Sequence, residues 1–323
     1  MAVAYGRVLN ALGVAWSAVG RGSRSAATLE AACGVKPALG GFERYLREQP
    51  SPTADCAIVA LPIPQLATAT QALTEAGIGR VLVEKPAGLT IAEIEGLARA
   101  VERSGAEVYV GYNRRFYASV GAARSLIAED GGVTSFHMDF TERVDRIETG
   151  VQDRAVLANW FLANSSHVVD LAFFLCGEAA EGRGLAAGAL TWHPAGAVFV
   201  GHGRTASGAP FTWHADWTSA GRWGVDIRTA RRRLLLQPLE QLLVQDRGSL
   251  ELSRYPLDDA LDHRFKPGLY RQVDAFLGPA PAGLGLETIA AHARHVRSWS
   301  AMICPGQMHA ADRQPHATAA SAC

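Results

Sequence analysis

Lysine is nearly missing from this 323-residue chain. Lys36, Lys85 and Lys266 are its whole ammonium content, and arginine supplies the rest of the positive charge. With abundant alanine, this reads as a coding bias. Against that background a lysine stands out for what guanidinium cannot do, which is lose a proton; Lys85 is the one to follow. An excess of either charge is also missing, with 31 basic residues against 31 acidic ones. That excludes the basic footprint of a nucleic-acid binder and attraction to an anionic membrane by charge alone. Cysteine is scarce: the five, Cys33, Cys56, Cys176, Cys304 and Cys323, are odd in number and form no C-x-x-C pair. A disulfide framework or structural zinc is not expected, and Cys56 and Cys176 read as small buried hydrophobes. His193, His202, His214 and His263 show no ligand spacing, so no metal is expected. No apolar run approaches the ~20 residues of a membrane span, and no basic segment leads into an apolar one at the start. A soluble, cytoplasmic protein is the expectation.

What is present is a core. Hydrophobic residues make up 48% and charged residues 19%, and the length suggests two domains of ~100–200 residues each. Residues 14–19 read as a strand leading into Gly20-Arg21-Gly22-Ser23. Residues 25–33 read as a helix with Ser25 as N-cap, and 42–47 as a short helix. The apolar run 56–61 is broken by Pro62 and Pro64. Residues 65–76 are helical, 80–84 a strand, 90–104 a helix with Thr90 and Glu93 in capping-box spacing, and 107–111 a strand. Short apolar strands alternating with helices predict a doubly wound parallel sheet, with ligands outside the strands' carboxyl ends. The loops after Leu61, Val83 and Val110 lie on that edge. After Phe116 the pattern changes. A helix to about 128, a strand over 133–140 and an apolar helix over 164–176 precede several strands between 188 and 252, then a late helix over 287–302. This second part predicts a large, mostly antiparallel sheet with helices on one face. The expected domains are 1–115, 116–304 and a disordered tail, 305–323.

Two motifs end successive strands: Glu84-Lys85-Pro86 and Gly111-Tyr112-Asn113-Arg114-Arg115-Phe116. A third, Ser165-Ser166-His167-Val168-Val169-Asp170, opens the apolar helix. In this order the chain resembles, over roughly residues 4–303, the glucose–fructose oxidoreductase, inositol dehydrogenase and MocA-like (Gfo/Idh/MocA) family. The resemblance implies an N-terminal Rossmann domain and a C-terminal α/β domain with an open sheet. It also implies hydride transfer between NADP or NAD and a hydroxyl-bearing carbon of a sugar, cyclitol or nucleotide-sugar-like substrate.

Two departures stand out. The family begins with a strand and a G-x-G-x-x-G turn, which brings backbone N–H groups onto the pyrophosphate. Here residues 4–12 read as the helix after that turn, and 14–19 as the second strand. A start assigned too far downstream is the preferred explanation, a truncated product the alternative. The family also often carries an aspartate four residues before its histidine, where this chain has Ala163. A proton relay would then use His167 and Lys85 alone, or enlist Asn164 or a solvent molecule.

The resemblance gives Lys85 and His167 catalytic and substrate-binding roles. Read bare, they are a strand-end lysine and a core histidine. Asn164 and Asp170 join them as expected substrate contacts; Asp170 could equally hold the imidazole or close helix packing. Expected cofactor contacts are the Ala60-Leu61-Pro62 turn, Glu84, Lys85, Asn113 and Arg114. Arg114 and Arg115 could instead make interdomain salt bridges. The family's Lys–Pro bond is commonly cis. Arg21, Ser23 and Arg24 follow the second strand with no acid among them, which favours a 2′-phosphate and hence NADP over NAD; a plain basic turn would look similar. Trp213, Trp217 and Trp223 could stack on a sugar, although packing is the more usual role of strand tryptophans. A homodimer or homotetramer is expected, because an apolar open-sheet face needs cover. The competing readings are a non-catalytic sensor or scaffold and a poorly folding fragment.

Overall fold

A computed structural model describes residues 1–49, 52–151, 153–279 and 282–305. The expected disordered tail, from residue 306 on, lies outside them. The N-terminal part alternates as the sequence predicts: α1 (Ala2–Ala11), β1 (Val19–Gly20), α2 (Ser23–Cys33), β2 (Ala38–Leu39), α3 (Gly41–Glu48), β3 (Ala57–Val59), α4 (Leu66–Glu75), β4 (Arg80–Glu84), α5 (Ile91–Ser104) and β5 (Glu107–Gly111). On β4, Val81, Leu82 and Val83 are all inaccessible to solvent. Val81 and Val83 join a core with Ile94 and Leu97 of α5. Leu82 lies in a second cluster with Tyr5 of α1 and Val273 and Phe276. Burial on both faces is why the strand shows no polar alternation.

The parallel sheet is in two pieces. β3, β4 and β5 pair in parallel, while β1 pairs only with β2. Among the described residues β1 and β3 are joined neither directly nor through another strand. This shortens the strand expected over 14–19. Only Val19 and Gly20 find partners, Ala38 and Leu39, and a backbone without a neighbour does not form a ladder. Ser25 is not the N-cap of α2 either. Gly22 is, and the Ser25 hydroxyl donates back to the Gly22 carbonyl at 3.0 Å. Thr90 does cap α5, accepting from the Glu93 N–H, while the Glu93 carboxylate takes the N–H of Leu89. Cys176 is buried as expected, but Cys56 only partly so.

The second part comprises α6 (Ala118–Glu129), β6 (Val133–Asp139), α7 (Val144–Gly150), α8 (Arg154–Ala158), α9 (Ser166–Cys176), β7 (Ala179–Ala187), β8 (Val198–Thr205), β9 (Pro210–Asp216), β10 (Gly224–Thr229), β11 (Arg232–Leu236), β12 (Leu243–Asp246), β13 (Ser253–Arg254), α10 (Ala260–Arg264), α11 (Leu269–Leu277), β14 (Glu287–Thr288) and α12 (Ile289–Ile303). Its eight-stranded sheet runs β13-β12-β11-β10-β6-β9-β8-β7, antiparallel except at β6–β9. Phe136, Met138, Phe211, Trp213, Val225 and Ile227 turn inward, under α9 and α12. The uncovered face is less apolar than expected. It carries Arg183, His202, Thr212, His214 and Arg228, with Leu185 and Val200 the exposed hydrophobics there. The chain recrosses the boundary expected at residue 115, since β14 pairs antiparallel with β5 and α12 packs on α5. No helix among the described residues is long and apolar enough to cross a membrane.

Gly201 of β8 lies under the Trp213 ring, and a Cβ there would overlap that ring and come 2.6 Å from the Arg183 carbonyl. Gly201→Ala is expected to destabilise the fold by about 1–3 kcal/mol in denaturant unfolding. Gly121 of α6 has nothing within 4 Å, so Gly121→Ala is expected to be neutral or stabilising by ~0.5–1 kcal/mol.

Candidate active site

The carboxyl ends of three parallel strands meet the start of α9. β3 leads into Ala60-Leu61-Pro62, β4 into Lys85, and β5 into a 3₁₀ turn, Asn113–Phe116. The Lys85–Pro86 bond is cis. His292 of α12 buttresses this turn by donating its Nε2–H to the Pro86 carbonyl at 2.9 Å. α9 is entered through a π-helical turn, Phe161–Ser165, where a plain helix was expected from residue 164. Such single π turns often mark functional sites. Here the turn presents three groups in succession. Its Ala163 carbonyl accepts from the Lys85 ammonium. The Asn164 amide donates to both carboxylate oxygens of Glu142, at 3.1 and 3.2 Å, and the Ser165 hydroxyl donates to Oε1 at 2.7 Å. His167 follows, edge-on to the Tyr112 ring at 5.7 Å and 6.1 Å from Trp223. The Arg114 guanidinium lies 4.7 Å above Trp223.

Desolvation sets the charge states here. Burial, with Arg114 nearby, lowers the Lys85 ammonium to about 7, against the pull of Glu84 and Glu142. Burial also raises the Glu142 carboxyl to about 7, although the bonds from Ser165 and Asn164 and the nearness of Lys85 oppose it. His167 is held well below its usual value by burial and by Arg114, Lys85 and Lys266. Its Nδ1 is buried without a hydrogen-bond partner among the described residues. A neutral imidazole, an amine poised near neutrality and a protonatable carboxyl therefore share one site. Beside them opens a cavity of about 430 Å³. Arg114, Glu142, Asn164, Trp160 and Trp223 line it, and Arg143, Arg146, Arg222 and Glu240 carry its remaining charge.

The residues singled out from sequence divide into those at this centre and those elsewhere. Lys85, His167, Asn164 and Arg114 come together. Glu84 is adjacent, accepting from the Tyr5 hydroxyl of α1 at 2.7 Å. Asn113 is buried and donates to the Pro267 carbonyl at 2.8 Å, which brings the loop carrying Lys266 to the site. Asp170 takes the packing role, the alternative to contacting substrate or holding the imidazole. Its carboxylate takes a bidentate bond from Arg115, at 2.8 and 2.5 Å, and is 1% exposed. Arg115 also bonds Glu287 at 2.8 Å, and the His295 Nδ1–H donates to Glu287 at 2.7 Å. Arg21, Ser23 and Arg24 lie in the β1–β2 piece, with Arg21 paired to exposed Glu43 at 3.0 Å. Trp213 and Trp217 are core, Trp217 donating to the Phe140 carbonyl, while Trp223 lines the cavity. Glu142 escaped the sequence reading. Its one signal is a carboxylate just past the end of an alternating strand.

Residues 11–112 match a family described as "Oxidoreductase family, NAD-binding Rossmann fold" (GFO_IDH_MocA). This segment is a Gfo/Idh/MocA Rossmann domain. The fold extends the likeness across both parts of the chain. An NAD-binding oxidoreductase from Klebsiella pneumoniae superposes with a TM-score of 0.72 at 16% identity, over 93% of this chain and 91% of that one. An inositol dehydrogenase homolog complexed with NAD+ from Azotobacter vinelandii gives 0.69 at 19% identity, over 88% and 85%. A UDP-N-acetylglucosamine 3-dehydrogenase from Acidithiobacillus ferrooxidans gives 0.70 at 15% identity, over 93% and 92%. No curated protein sequence matches the chain. α1, which precedes the matched segment, packs on α2 and α11.

The Arg115 cluster makes a stability prediction. Burial pushes the Glu287 carboxyl up, but the His295 bond and the Arg115 charge outweigh it and hold the group down to about 2. A depressed carboxyl stabilises the fold above its unfolded value of about 4.3, and that contribution fades as pH falls from there through about 2. Glu287→Gln is expected to cost about 3–5 kcal/mol at pH 7 and to flatten the loss of stability over that acid window. Urea melts of both chains as a function of pH measure it.

Proposed function

We propose that the chain is an NAD(P)-linked oxidoreductase acting on a hydroxyl-bearing carbon of a sugar, cyclitol or nucleotide-sugar-like substrate. The observation that carries this reading is the convergence of Lys85 and His167, both held near or below neutrality by burial, beside a cavity at the carboxyl edge of a parallel sheet. A neutral amine can take the hydroxyl proton, and a neutral imidazole with an unpartnered buried nitrogen can orient or share it. The nicotinamide, when bound, supplies the hydride acceptor or donor. The residues suit its reactive end: Lys85, Glu84 and Asn113 would hold it at the strand ends, with the Ala60-Leu61-Pro62 turn beside them. Arg21, Ser23 and Arg24 lie at the end of β1, where a 2′-phosphate would compete with Glu43 for Arg21, and NADP is the preferred cofactor. Arg114, Arg143, Arg146 and Arg222 outnumber Glu142 and Glu240 on the cavity wall, which favours a substrate bearing a carboxylate or phosphate. The proposed locale is the cytoplasm. The uncovered sheet face with Leu185 and Val200 is the proposed homodimer or homotetramer contact.

Ala163, which offers no acid–base group four residues before His167, favours a second reading, a family relative without turnover that acts as a sensor or scaffold. Titration of the chain with NADPH and NADH, followed by nucleotide fluorescence, separates the two. Saturable binding with NADPH ahead is expected, and Arg21→Ala should weaken NADPH by roughly tenfold while sparing NADH. Screening polyols and nucleotide sugars then gives turnover, which Lys85→Ala and His167→Ala should each lower by roughly 100- to 10,000-fold with the chain still folded. Full activity in Lys85→Ala would sink the reading, and a folded chain that binds neither nucleotide supports the sensor.

A further inference from the structure

Glu142 sits at a fixed point of the backbone. Two residues before it, Phe140 donates its N–H to the His214 carbonyl at 3.1 Å and accepts from the Trp217 indole at 3.1 Å. The intervening Thr141 takes the Asp139 carboxylate on its N–H at 2.7 Å, and its hydroxyl accepts from the Asp216 N–H at 3.1 Å. The carboxylate delivered by this clamp is only 6% exposed, yet it lines the cavity. Its hydrogen-bond partners are neutral, the Asn164 amide and the Ser165 hydroxyl. Ion pairs satisfy the other deeply buried carboxylates, Asp130, Asp170 and Glu287, whereas none within 4 Å joins Glu142 to a described basic residue. The charged groups that face it are Lys85 and Arg114 on the strand-end side, and Arg143, Arg146, Arg222 and Glu240 around the cavity.

Lys85 and Glu142 meet on one turn of backbone. The ammonium bonds the carbonyl of residue 163, and the carboxylate bonds the side chains of residues 164 and 165. Position 163 itself is alanine and offers no acid–base group. We propose that Glu142 exchanges protons with Lys85 and passes them to the cavity solvent. The inference rests on the oxidoreductase reading above. In the oxidation direction the C–H bond breaks and its electron pair leaves with hydride to the nicotinamide. The O–H proton goes to the Lys85 amine, and from there a proton reaches the Glu142 carboxylate and is released to water. Reduction runs the same transfers backwards. Glu142 acts through Lys85 and not on the substrate, and it resets Lys85 between turnovers. Burial lowers the Lys85 ammonium and raises the Glu142 carboxyl, each to about 7, so the two are brought toward each other in proton affinity.

The scarcity of lysine makes the test direct. Full-length chain labelled with ¹³C-lysine shows three side-chain signals, and Lys85→Arg assigns the one of interest. Label in glutamate, with Glu142→Gln for assignment, reports the carboxyl. Without nucleotide or substrate, the Lys85 and Glu142 signals should move over the same pH range near 7. In Glu142→Gln the Lys85 midpoint should fall by roughly one pH unit, since a neighbouring negative charge is lost. A Glu142 carboxyl that titrates near an ordinary 4.3, or a Lys85 midpoint unchanged in the variant, overturns the proposal. If the variant does not fold, the wild-type titration decides alone, assigned through Glu142→Asp. With turnover established, Glu142→Gln should lower kcat by roughly 100-fold with little change in KM, and should displace the Lys85 limb of the pH profile. A wild-type chain without turnover defeats the oxidoreductase reading. An active chain whose Glu142→Gln variant keeps both kcat and pH profile defeats only the relay.

Discussion

The buried guanidinium of Arg115 holds the two halves of the molecule in register. It leaves the end of β5, clamps Asp170 on α9 and reaches Glu287 on β14. Three carboxylate contacts from one rigid fork fix the rotation of α9 as well as its distance, because a bidentate bond has direction. Asp170 lies one helical turn beyond His167, so the same clamp sets where the imidazole points. The π turn is fixed with it, and the Ala163 carbonyl is thereby placed against Lys85. Asp170 thus serves the site by holding its frame.

The frame creates a dry seam between sheet and helix, and dryness does chemical work there. Each ionisable group is driven toward its uncharged form, amine and imidazole downward and carboxyl upward. Ion pairing opposes this, and it prevails at Glu287, whereas burial still raises Asp170 beside Arg115. Glu287, with Arg115 and His295 for company, stays ionised to low pH. Glu142, hydrogen-bonded by neutral donors and without an ion pair within 4 Å of a described basic residue, does not. The same burial gives a permanent charge in one place and a transferable proton in another, and the difference lies in who the neighbours are.

Much of this was legible in the chain itself. The β4 run 80–84 and the β5 run 107–111 match their strands to the residue, because an apolar core on both faces leaves a continuous signature. The Glu84-Lys85-Pro86 and His167 motifs pointed to the site because strand ends and helix starts are written locally. Other features depend on partners distant in sequence. The strand expected over 14–19 shrank because its length depends on a neighbour that sequence periodicity does not reveal. The role of Asp170 depends on Arg115, 55 residues away, and that of Glu142 on a turn 22 residues on. Glu142 reads in isolation as an ordinary acid, and Asp170 as a substrate contact, an imidazole holder or a packing residue. The tryptophans split for the same reason, since only topology separates Trp223 from the two beneath the sheet.

The break between β1 and β3 has a thermodynamic side. The β1–β2 piece carries Arg21 and Ser23, while Lys85 and His167 belong to the other, and no backbone ladder joins the pieces. A continuous sheet would transmit cohesion through shared hydrogen bonds. Here it passes through helix contacts, α1 on α2 and α3 on α4. A nucleotide that touched both pieces would be a strut as well as a ligand, because any binding energy it supplied would add to folding energy through linkage.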